Sequence, residues 1–168
     1  MARRNDVQIS EHFRAFEAEC PCCGLVVIRA EVVDALERLR ADRGSGPLAA
    51  TSWCRCERDN ARIYEKKNHR RRLAGLPEIA PFVSPHVVGC VEGVIDGGGW
   101  AVDLPLVYTA ADIQYFRHFG VHGLGIGPDF THIDFKPRGL EQFRAWTYDF
   151  GKPTRLVVVD VDGSEHWA

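Results

Sequence analysis

The segment that most limits how this chain can fold is 82–108, FVSPHVVGCVEGVIDGGGWAVDLPLVY. β-Branched residues recur along it at alternating positions, and the sequence DGGG interrupts them. Such alternation places side chains on the two faces of a strand, and glycine-rich turns join antiparallel neighbours. The segment therefore predicts two β-strands joined by a flexible hairpin at DGGG, so a sheet must form part of the fold.

Two segments have helical periodicity. Residues 30–43 carry apolar side chains at helical spacing, with charged residues opposite them. Residues 109–120 begin with Thr109 as a cap, carry Asp112 in the first turn and end at Gly120. The apolar positions of the two segments are Val32, Val33, Leu36, Leu39, Ile113, Phe116 and Phe119. Each predicted helix thus has one face that must pack on a core.

The rest of the chain adds short strands and one more helix. Strands are predicted at 47–53, 130–135 and 154–161, and a helix at 138–148. A chain of 168 residues has the size of one domain, and such a domain buries roughly 70% of the surface that its unfolded form exposes. We therefore predict a single domain over residues 1–168, of the α+β class, with a small antiparallel sheet and flanking helices.

Overall composition and charge favour no particular partner, whereas local patterns argue against some. Hydrophobic residues at 45%, charged residues at 26% and a net charge of −2 are ordinary for a soluble globular protein. The basic run within residues 57–75 lacks interleaved aromatic residues, which favours a solvated helix or loop over a nucleic-acid surface. The start, MARRNDVQISEHF, lacks the apolar run of a secretion signal, and no apolar stretch could span a bilayer. We expect a cytoplasmic protein with no nucleic-acid or membrane partner.

Five of the six cysteines fall in two clusters, ECPCCG and WCRCE. The cytoplasm is reducing, so thiols or metal ligands are expected rather than disulfides. Four thiolates from two short loops could hold a structural zinc ion. The four candidates are Cys20, Cys23, Cys54 and Cys56. Inert thiols or a late-forming disulfide are the alternatives.

A second candidate metal site lies among the histidines and aspartates. A catalytic zinc ion needs three protein ligands and an open position, with a carboxylate nearby to take a proton. His86, Asp103 and His132 could supply the ligands, and Asp129 could reach the open position. Asp134 shares a strand face with His132 and could orient it. The alternative is structural, because aspartate is common in turns and histidines in strands are usually just packed.

Several short motifs follow one another along the chain: ISEHFRAFEAECPCCG, TSWCRCERDN, SPHVVG, WAVDL and GIGPDFTHIDF, with RAWTY behind them. Their order resembles the zinc D-Ala-D-Ala carboxypeptidase family, which includes VanX-type dipeptidases and bacteriophage L-alanyl-D-glutamate endolysins. That family shares its fold with the Hedgehog signalling domain. The resemblance covers most of the chain and implies a Hedgehog/DD-peptidase-like fold, in a phage-type member.

The resemblance also implies roles for particular residues. The SxHxxGxAxD motif of the family places its zinc ligands on His86 and Asp103, and the closing DxxH element adds His132 as the third ligand. The same element makes Asp129 the general base. The arginine of the SGYR-like loop falls on Arg55, which would hold a substrate carboxylate or stabilise the oxyanion. The serine of the first motif, Ser84, would also lie at the substrate.

One departure from the family pattern concerns spacing. The aspartate usually follows the histidine by seven positions, whereas Asp103 follows His86 by 17 (103 − 86). The ligands of a metal site must be close in space but not in sequence, so a protruding hairpin between His86 and Asp103 would leave the site intact. Glu92 and Asp96, inside the insertion, are rival carboxylate ligands. The insertion could be a lid beside Trp100 or a plain surface hairpin.

The resemblance implies a zinc metallopeptidase that cuts peptidoglycan stem peptides, either as a D-Ala-D-Ala carboxypeptidase or as an L-Ala-D-Glu endopeptidase. One catalytic zinc ion is expected, and the cysteines allow a second, structural one. We expect a monomer that waits in the host cytoplasm as a phage endolysin, or a virion-associated enzyme. Two alternatives stay open: a non-catalytic zinc-binding structural or binding protein of the same fold, and a zinc protein that binds nucleic acid.

Overall fold

The structure, a computed structural model, describes residues 5–42, 44, 48–81, 84–91, 94–105, 113–137, 143–148, 156–159 and 165–167. Its helices are a 3-10 turn, η1 (Ala15–Ala18), and the α-helices α1 (Ala30–Asp42), α2 (Glu57–Leu73) and α3 (Ile113–His118). Its strands are β1 (Arg55–Cys56), β2 (Val87–Val91), β3 (Val94–Asp96), β4 (Ala101–Leu104), β5 (Gly123–Ile126), β6 (Thr131–Asp134), β7 (Phe143–Thr147), β8 (Leu156–Val159) and β9 (Glu165–Trp167). The described residues thus combine helices with small sheets, as the predicted α+β class requires.

The larger sheet has six strands in the order β4-β6-β5-β7-β8-β9. Its neighbours are antiparallel, as predicted, except that β5 and β7 run parallel. The register pairs Asp103 of β4 with His132 of β6, His132 with Gly125 of β5, and Gly125 with Trp146 of β7. Side chains of directly paired residues lie on the same face of a sheet. This row therefore gathers an aspartate, a histidine and a tryptophan at one place.

The smaller sheet contains the predicted hairpin, but with a different turn. Strand β1 pairs in parallel with β2, and β2 pairs antiparallel with β3, so the chain reverses near residues 92–93, which lie outside the described residues. The prediction that DGGG forms this turn is wrong, because Asp96 is already paired with Gly89. Residues 97–99 instead carry the chain from β3 to β4 of the larger sheet.

The predicted helices differ in how they contribute to the core. Helix α1 buries its predicted apolar face, with Val32 and Leu36 fully covered, near the edge-to-face pair of Trp53 and Phe13. The basic run, predicted as a solvated helix or loop, is helix α2, and its covered side is polar. Asn68 on that side donates to and accepts from the backbone of Ile79 at 3.0 and 2.9 Å. No helix within the described residues has the length and apolar character needed to cross a membrane.

Two predicted elements are wrong. Residues 48–53 form no strand, and Ser52 makes only an isolated bridge to Asp103. The segment 138–148 was predicted as a helix, but its described part contains strand β7. Phe143 and Ala145 are buried and alternate with more exposed neighbours, which is the two-residue period of a strand. Pairing with β5 and β8 outweighs the local helical preference. Residues 138–142, and the predicted caps Thr109 and Asp112, lie outside the described residues.

The glycines after β3, which the sequence allowed as part of a lid or of a plain surface hairpin, are packed against the body of the protein at Gly98 and Gly99. Gly98 has φ 72°, and a Cβ there would lie 2.3 Å from Val88 Cγ2 and 2.8 Å from the Val87 carbonyl oxygen. The Arg29 guanidinium donates to the carbonyl oxygens of Gly97 and Gly98 at 3.3 and 3.2 Å. The connection between β3 and β4, residues 97–99, is therefore tightly packed and hydrogen-bonded.

Replacing Gly98 by alanine is expected to lower the free energy of unfolding by roughly 2–5 kcal/mol, because the new Cβ is strained by the positive φ and overlaps β2. Urea unfolding followed by circular dichroism would measure the change. Gly120→Ala is the matched control, since Gly120 has φ 74° but nothing within 4 Å of an added Cβ, and it should cost only about 1–2 kcal/mol. Equal losses in the two variants would contradict the packing argument.

Candidate metal centre

Three side chains converge where the two sheets meet. His86 Nε2 lies 3.0 Å from His132 Nδ1 and 3.3 Å from Asp103 Oδ1, and the last two atoms are 2.8 Å apart. Both histidines are buried, and Asp103 is 13% exposed. These three residues were predicted as the ligands of the catalytic metal, and the structure brings all three together.

The long spacing between His86 and Asp103 is accommodated by the hairpin of β2 and β3. The Trp100 backbone N–H donates to the Pro85 carbonyl oxygen at 3.2 Å, so the two ends of the inserted segment lie side by side. Asp103 then enters β4 opposite His132. The backbone of the rival ligand Asp96 lies in β3, where it pairs with Gly89 of β2. Glu92, the other rival, lies outside the described residues.

Hydrogen bonding orients the His86 ring for coordination. Its Nδ1 lies 2.7 Å from the Trp53 carbonyl oxygen. A carbonyl only accepts, so Nδ1 carries the proton, and in the neutral ring Nε2 offers its lone pair to the cluster. Ser84, predicted at the substrate, is buried, and its Oγ accepts from the His86 backbone N–H at 3.4 Å. Ser84 thus supports the turn that presents His86.

The charge states suit a cation. Burial lowers the pKa of His86, although the Asp103 carboxylate opposes that shift, so His86 is neutral at neutral pH. Burial works against ionisation of Asp103, but its interactions with His86 and His132 outweigh that effect. The pKa of Asp103 therefore lies well below its usual value. Asp103 and His86 therefore present one anionic oxygen and one neutral imidazole nitrogen to a cation.

Arg55 lies directly beside these donors. Its Nη2 donates to Asp103 Oδ2 and to Ser52 Oγ, each at 2.9 Å, and its backbone N–H donates to the His86 carbonyl oxygen at 3.0 Å. The guanidinium is 15% exposed. Asp103 thus uses one oxygen for the cluster and the other for Arg55, which fixes the orientation of its carboxylate.

An aromatic wall, formed by Trp146 and Tyr148, lines the other side of His132. The ring centroid of His132 lies 5.4 Å from that of Trp146 and 6.3 Å from that of Tyr148. Gly125 makes room for the wall, because a Cβ there would lie 2.5 Å from Tyr148 and 2.6 Å from Trp146. The motif RAWTY contained both aromatics, but its prediction as a helix hid their position.

A second cation was missed in the basic run of α2. The Lys67 ammonium lies 5.0 Å from the ring centroid of Tyr64 and 5.7 Å from that of Tyr148. Burial lowers its pKa, the nearby Arg55 lowers it further, and Asp103 opposes the shift. The sequence does not distinguish Lys67 from the rest of the basic run, because the residues beside it on α2 are also basic or polar.

The two aspartates of GIGPDFTHID have different surroundings. Asp129, the predicted base, is exposed in the turn between β5 and β6, and its side chain forms no hydrogen bond or ion pair with any described residue. Asp134 is fully buried, and its Oδ1 accepts from the Lys136 backbone N–H at 2.8 Å. The suggested support of His132 by Asp134 stays a prediction.

The cysteines form a separate cluster. The sulfur atoms of Cys20, Cys23 and Cys56 all lie within 4.8 Å of one another. Cys54, the fourth predicted ligand, is buried outside this set, and burial raises its pKa to about 11. The structure therefore brings three of the four predicted thiols together.

Both clusters are compatible with a bound metal ion. Ligand atoms about 2.1 Å from a tetrahedral ion are spaced by roughly 3.4 Å, and the three distances of the histidine and aspartate cluster, 2.8 to 3.3 Å, are close to this value. The donor set of two imidazoles and one carboxylate also leaves one coordination position for solvent or substrate.

Comparisons with protein-family models, with curated proteins and with solved structures found no match to this chain.

Proposed function

We propose that the protein is a zinc-dependent peptidase with a Hedgehog/DD-peptidase-like fold that hydrolyses peptidoglycan stem peptides. The observation that carries this proposal is the convergence of His86 Nε2, Asp103 Oδ1 and His132 Nδ1 beside the Arg55 guanidinium. The motif resemblance supplies the substrate class, and the donor geometry supports a metal ion at this position. By the same resemblance, we propose a role as a phage endolysin or virion-associated lysin.

The residues around the donors can be given distinct roles. Zinc bound there would polarise the scissile carbonyl and lower the pKa of a water molecule. Asp129 would accept a proton from the attacking water and return it to the leaving amine. Arg55 has five N–H groups, more than its two side-chain bonds to Asp103 and Ser52 account for. The remaining N–H groups would bind a substrate carboxylate or the developing oxyanion.

The electrostatics favour an anionic substrate. Arg55 and Lys67 are both cationic and close enough for Arg55 to add to the lowering of the Lys67 pKa that burial causes, whereas Asp103 is already engaged by Arg55 and the histidines. Stem peptides carry free carboxylates, which such a pair of cations would attract. The aromatic wall of Trp146 and Tyr148 would restrict access of water on one side.

We expect Lys67→Met to raise KM for an anionic stem peptide by about 10-fold or more, because a charge-assisted contact is worth roughly 1.5–3 kcal/mol, with little effect on kcat. The pKa of Lys67 is lowered, so the wild-type enzyme should lose affinity as pH rises through a value below that of an ordinary lysine. Initial rates measured against pH would reveal this limb, which the variant should lack. Lys66→Met, at an exposed neighbour, is the matched control. An unchanged KM in Lys67→Met would exclude this role.

One observation favours the non-catalytic alternative, in which the fold binds zinc but serves a structural or binding role. The predicted base Asp129 is exposed and is not held by any described residue, whereas catalytic groups are usually oriented by their surroundings. A solvent-exposed aspartate in a turn is equally compatible with a non-catalytic protein, because aspartate is common in turns.

Incubation of the zinc-loaded protein with defined stem peptides, followed by mass spectrometry of the products, tests the proposal. Release of the terminal D-alanine would identify a carboxypeptidase, and cleavage between L-alanine and D-glutamate would identify an endopeptidase. A protein that binds zinc at the His86, Asp103 and His132 centre but cuts neither bond, nor purified cell wall, would refute the peptidase proposal in favour of the non-catalytic one.

A further inference from the structure

The cysteine cluster joins two segments that are far apart in sequence. Cys20 and Cys23 lie in the loop CPCCG, and Cys56 is the residue that precedes helix α2. None of the three is in a disulfide, and their sulfur atoms lie within 4.8 Å of one another. Three thiols at this separation, from a loop and from strand β1, are arranged as soft metal ligands are.

Backbone N–H groups surround the cluster as they do in thiolate metal sites. The Cys56 N–H donates to Cys20 Sγ at 3.3 Å, and the Asp59 N–H, in the first turn of α2, donates to Cys56 Sγ at 3.4 Å. Gly24 has φ 74°, and its N–H donates to the Cys20 carbonyl oxygen at 2.9 Å, which closes the loop tightly. Such N–H donors, together with the start of a helix, stabilise negative sulfur.

A fourth thiol, Cys22, lies beside the cluster, although its sulfur atom is not within 4.8 Å of all the other three. The Cys22 thiol lies within hydrogen-bonding reach of Cys56, and the Arg58 side chain donates to Cys22 Sγ at 3.0 Å. Cys22 is partly exposed, so its side chain has room to turn. Cys54 is also outside the cluster, but it is buried, so its side chain lacks the room to turn that Cys22 has.

We propose that Cys20, Cys23 and Cys56 bind a thiophilic divalent cation such as Zn²⁺, with Cys22 as the fourth ligand, at a site separate from the histidine and aspartate centre. Binding would replace the thiol protons by the metal ion and release them to solvent. The ion would tie the loop CPCCG to the start of α2.

This site has a consequence for the candidate metal centre. Arg55 is the residue before Cys56, and its guanidinium holds Asp103 Oδ2. Fixing the Cys56 backbone therefore restrains the position of Arg55. The cysteine site would thus be a positioning element for the arginine, and it does not depend on peptidase activity.

Cobalt substitution tests the proposal, because thiolate ligands give charge-transfer absorption in the near ultraviolet that imidazole and carboxylate ligands do not. We expect the wild-type protein to bind two equivalents of Co²⁺ and to show this absorption. Cys56→Ser should lose the absorption and one equivalent, with affinity lowered more than about 100-fold, beyond the loss typical of a supporting residue. Cys22→Ser should weaken binding by a smaller factor, and Cys54→Ser, the matched control, should keep both equivalents.

If Cys56→Ser does not fold, a reagent that modifies thiols can test the proposal on the wild-type protein instead. Addition of an organomercurial to the zinc-loaded wild-type protein should release one equivalent of zinc to a chromogenic chelator. His132→Ala should retain the cobalt–thiolate absorption, which separates this proposal from the peptidase proposal. Absence of the absorption in the wild-type protein, or a disulfide among Cys20, Cys23 and Cys56 detected by mass spectrometry, would overturn it.

Discussion

Replacing His132 by alanine is expected to remove metal binding at the centre formed with His86 and Asp103. His132 Nδ1 lies 2.8 Å from Asp103 Oδ1 and 3.0 Å from His86 Nε2, so its loss leaves two donors of three. Losing a residue that merely supports a ligand typically costs 10–100-fold in affinity, and losing a ligand should cost at least about 100-fold. Competition with a chromophoric chelator would measure the change for Zn²⁺.

The same replacement also opens a space in the structure, because His132 is only 4% exposed. Circular dichroism and the thermal midpoint of the variant therefore need to be measured alongside metal content. His69→Ala is the matched control, since His69 is exposed on α2 and outside both clusters. A folded His132→Ala protein with wild-type affinity at this centre would exclude His132 as a ligand.

Replacing Asp129 by asparagine is expected to leave zinc binding intact and to reduce kcat for stem-peptide hydrolysis by roughly 10²–10⁴-fold, the usual contribution of a general base. Asp129 is exposed in a turn and is outside the donor cluster, so the fold and the metal affinity should not depend on its charge. Peptide release and metal content measured on one preparation would separate the two effects.

Asp34→Asn, at an exposed carboxylate on helix α1, is the matched control for the loss of one negative charge. Full activity in Asp129→Asn would remove Asp129 from the mechanism. Loss of metal in that variant would show instead that Asp129 is a ligand, which contradicts the role proposed for it.

The identity of the central donors could be predicted from sequence, and their arrangement could not. The motifs SPHVVG, AVDL and DFTHID marked His86, Asp103 and His132 through resemblance to a family. Spacing by itself left Asp96 open as a rival for Asp103. The register of β4 against β6 favours Asp103 as the carboxylate ligand, because it pairs Asp103 with His132. Strand register depends on contacts between distant segments, so local spacing does not reveal it.

The other residues around the centre show the same limit. Lys67 belongs to a run of basic residues, and only the packing of α2 brings its ammonium toward Tyr148. Trp146 and Tyr148 both lie in the segment predicted as a helix, whereas pairing of β7 with β5 makes residues 143–147 a strand, with Tyr148 directly after it. In both cases the decisive contact is with a segment remote in sequence, and it outweighs the local preference.

The sequence by itself determined the local features of this protein. Apolar spacing specified α1 and alternation specified the strands β2 and β3, because these patterns depend on neighbouring residues. The polar and basic run specified solvent exposure but left open whether α2 would be a helix or a loop. Tertiary structure alone decided that His86 offers Nε2, since its Nδ1 is held by the Trp53 carbonyl, and that Cys54 lies outside the thiol cluster. Coordination requires atoms to meet within a few ångströms, and that depends on how the two sheets pack.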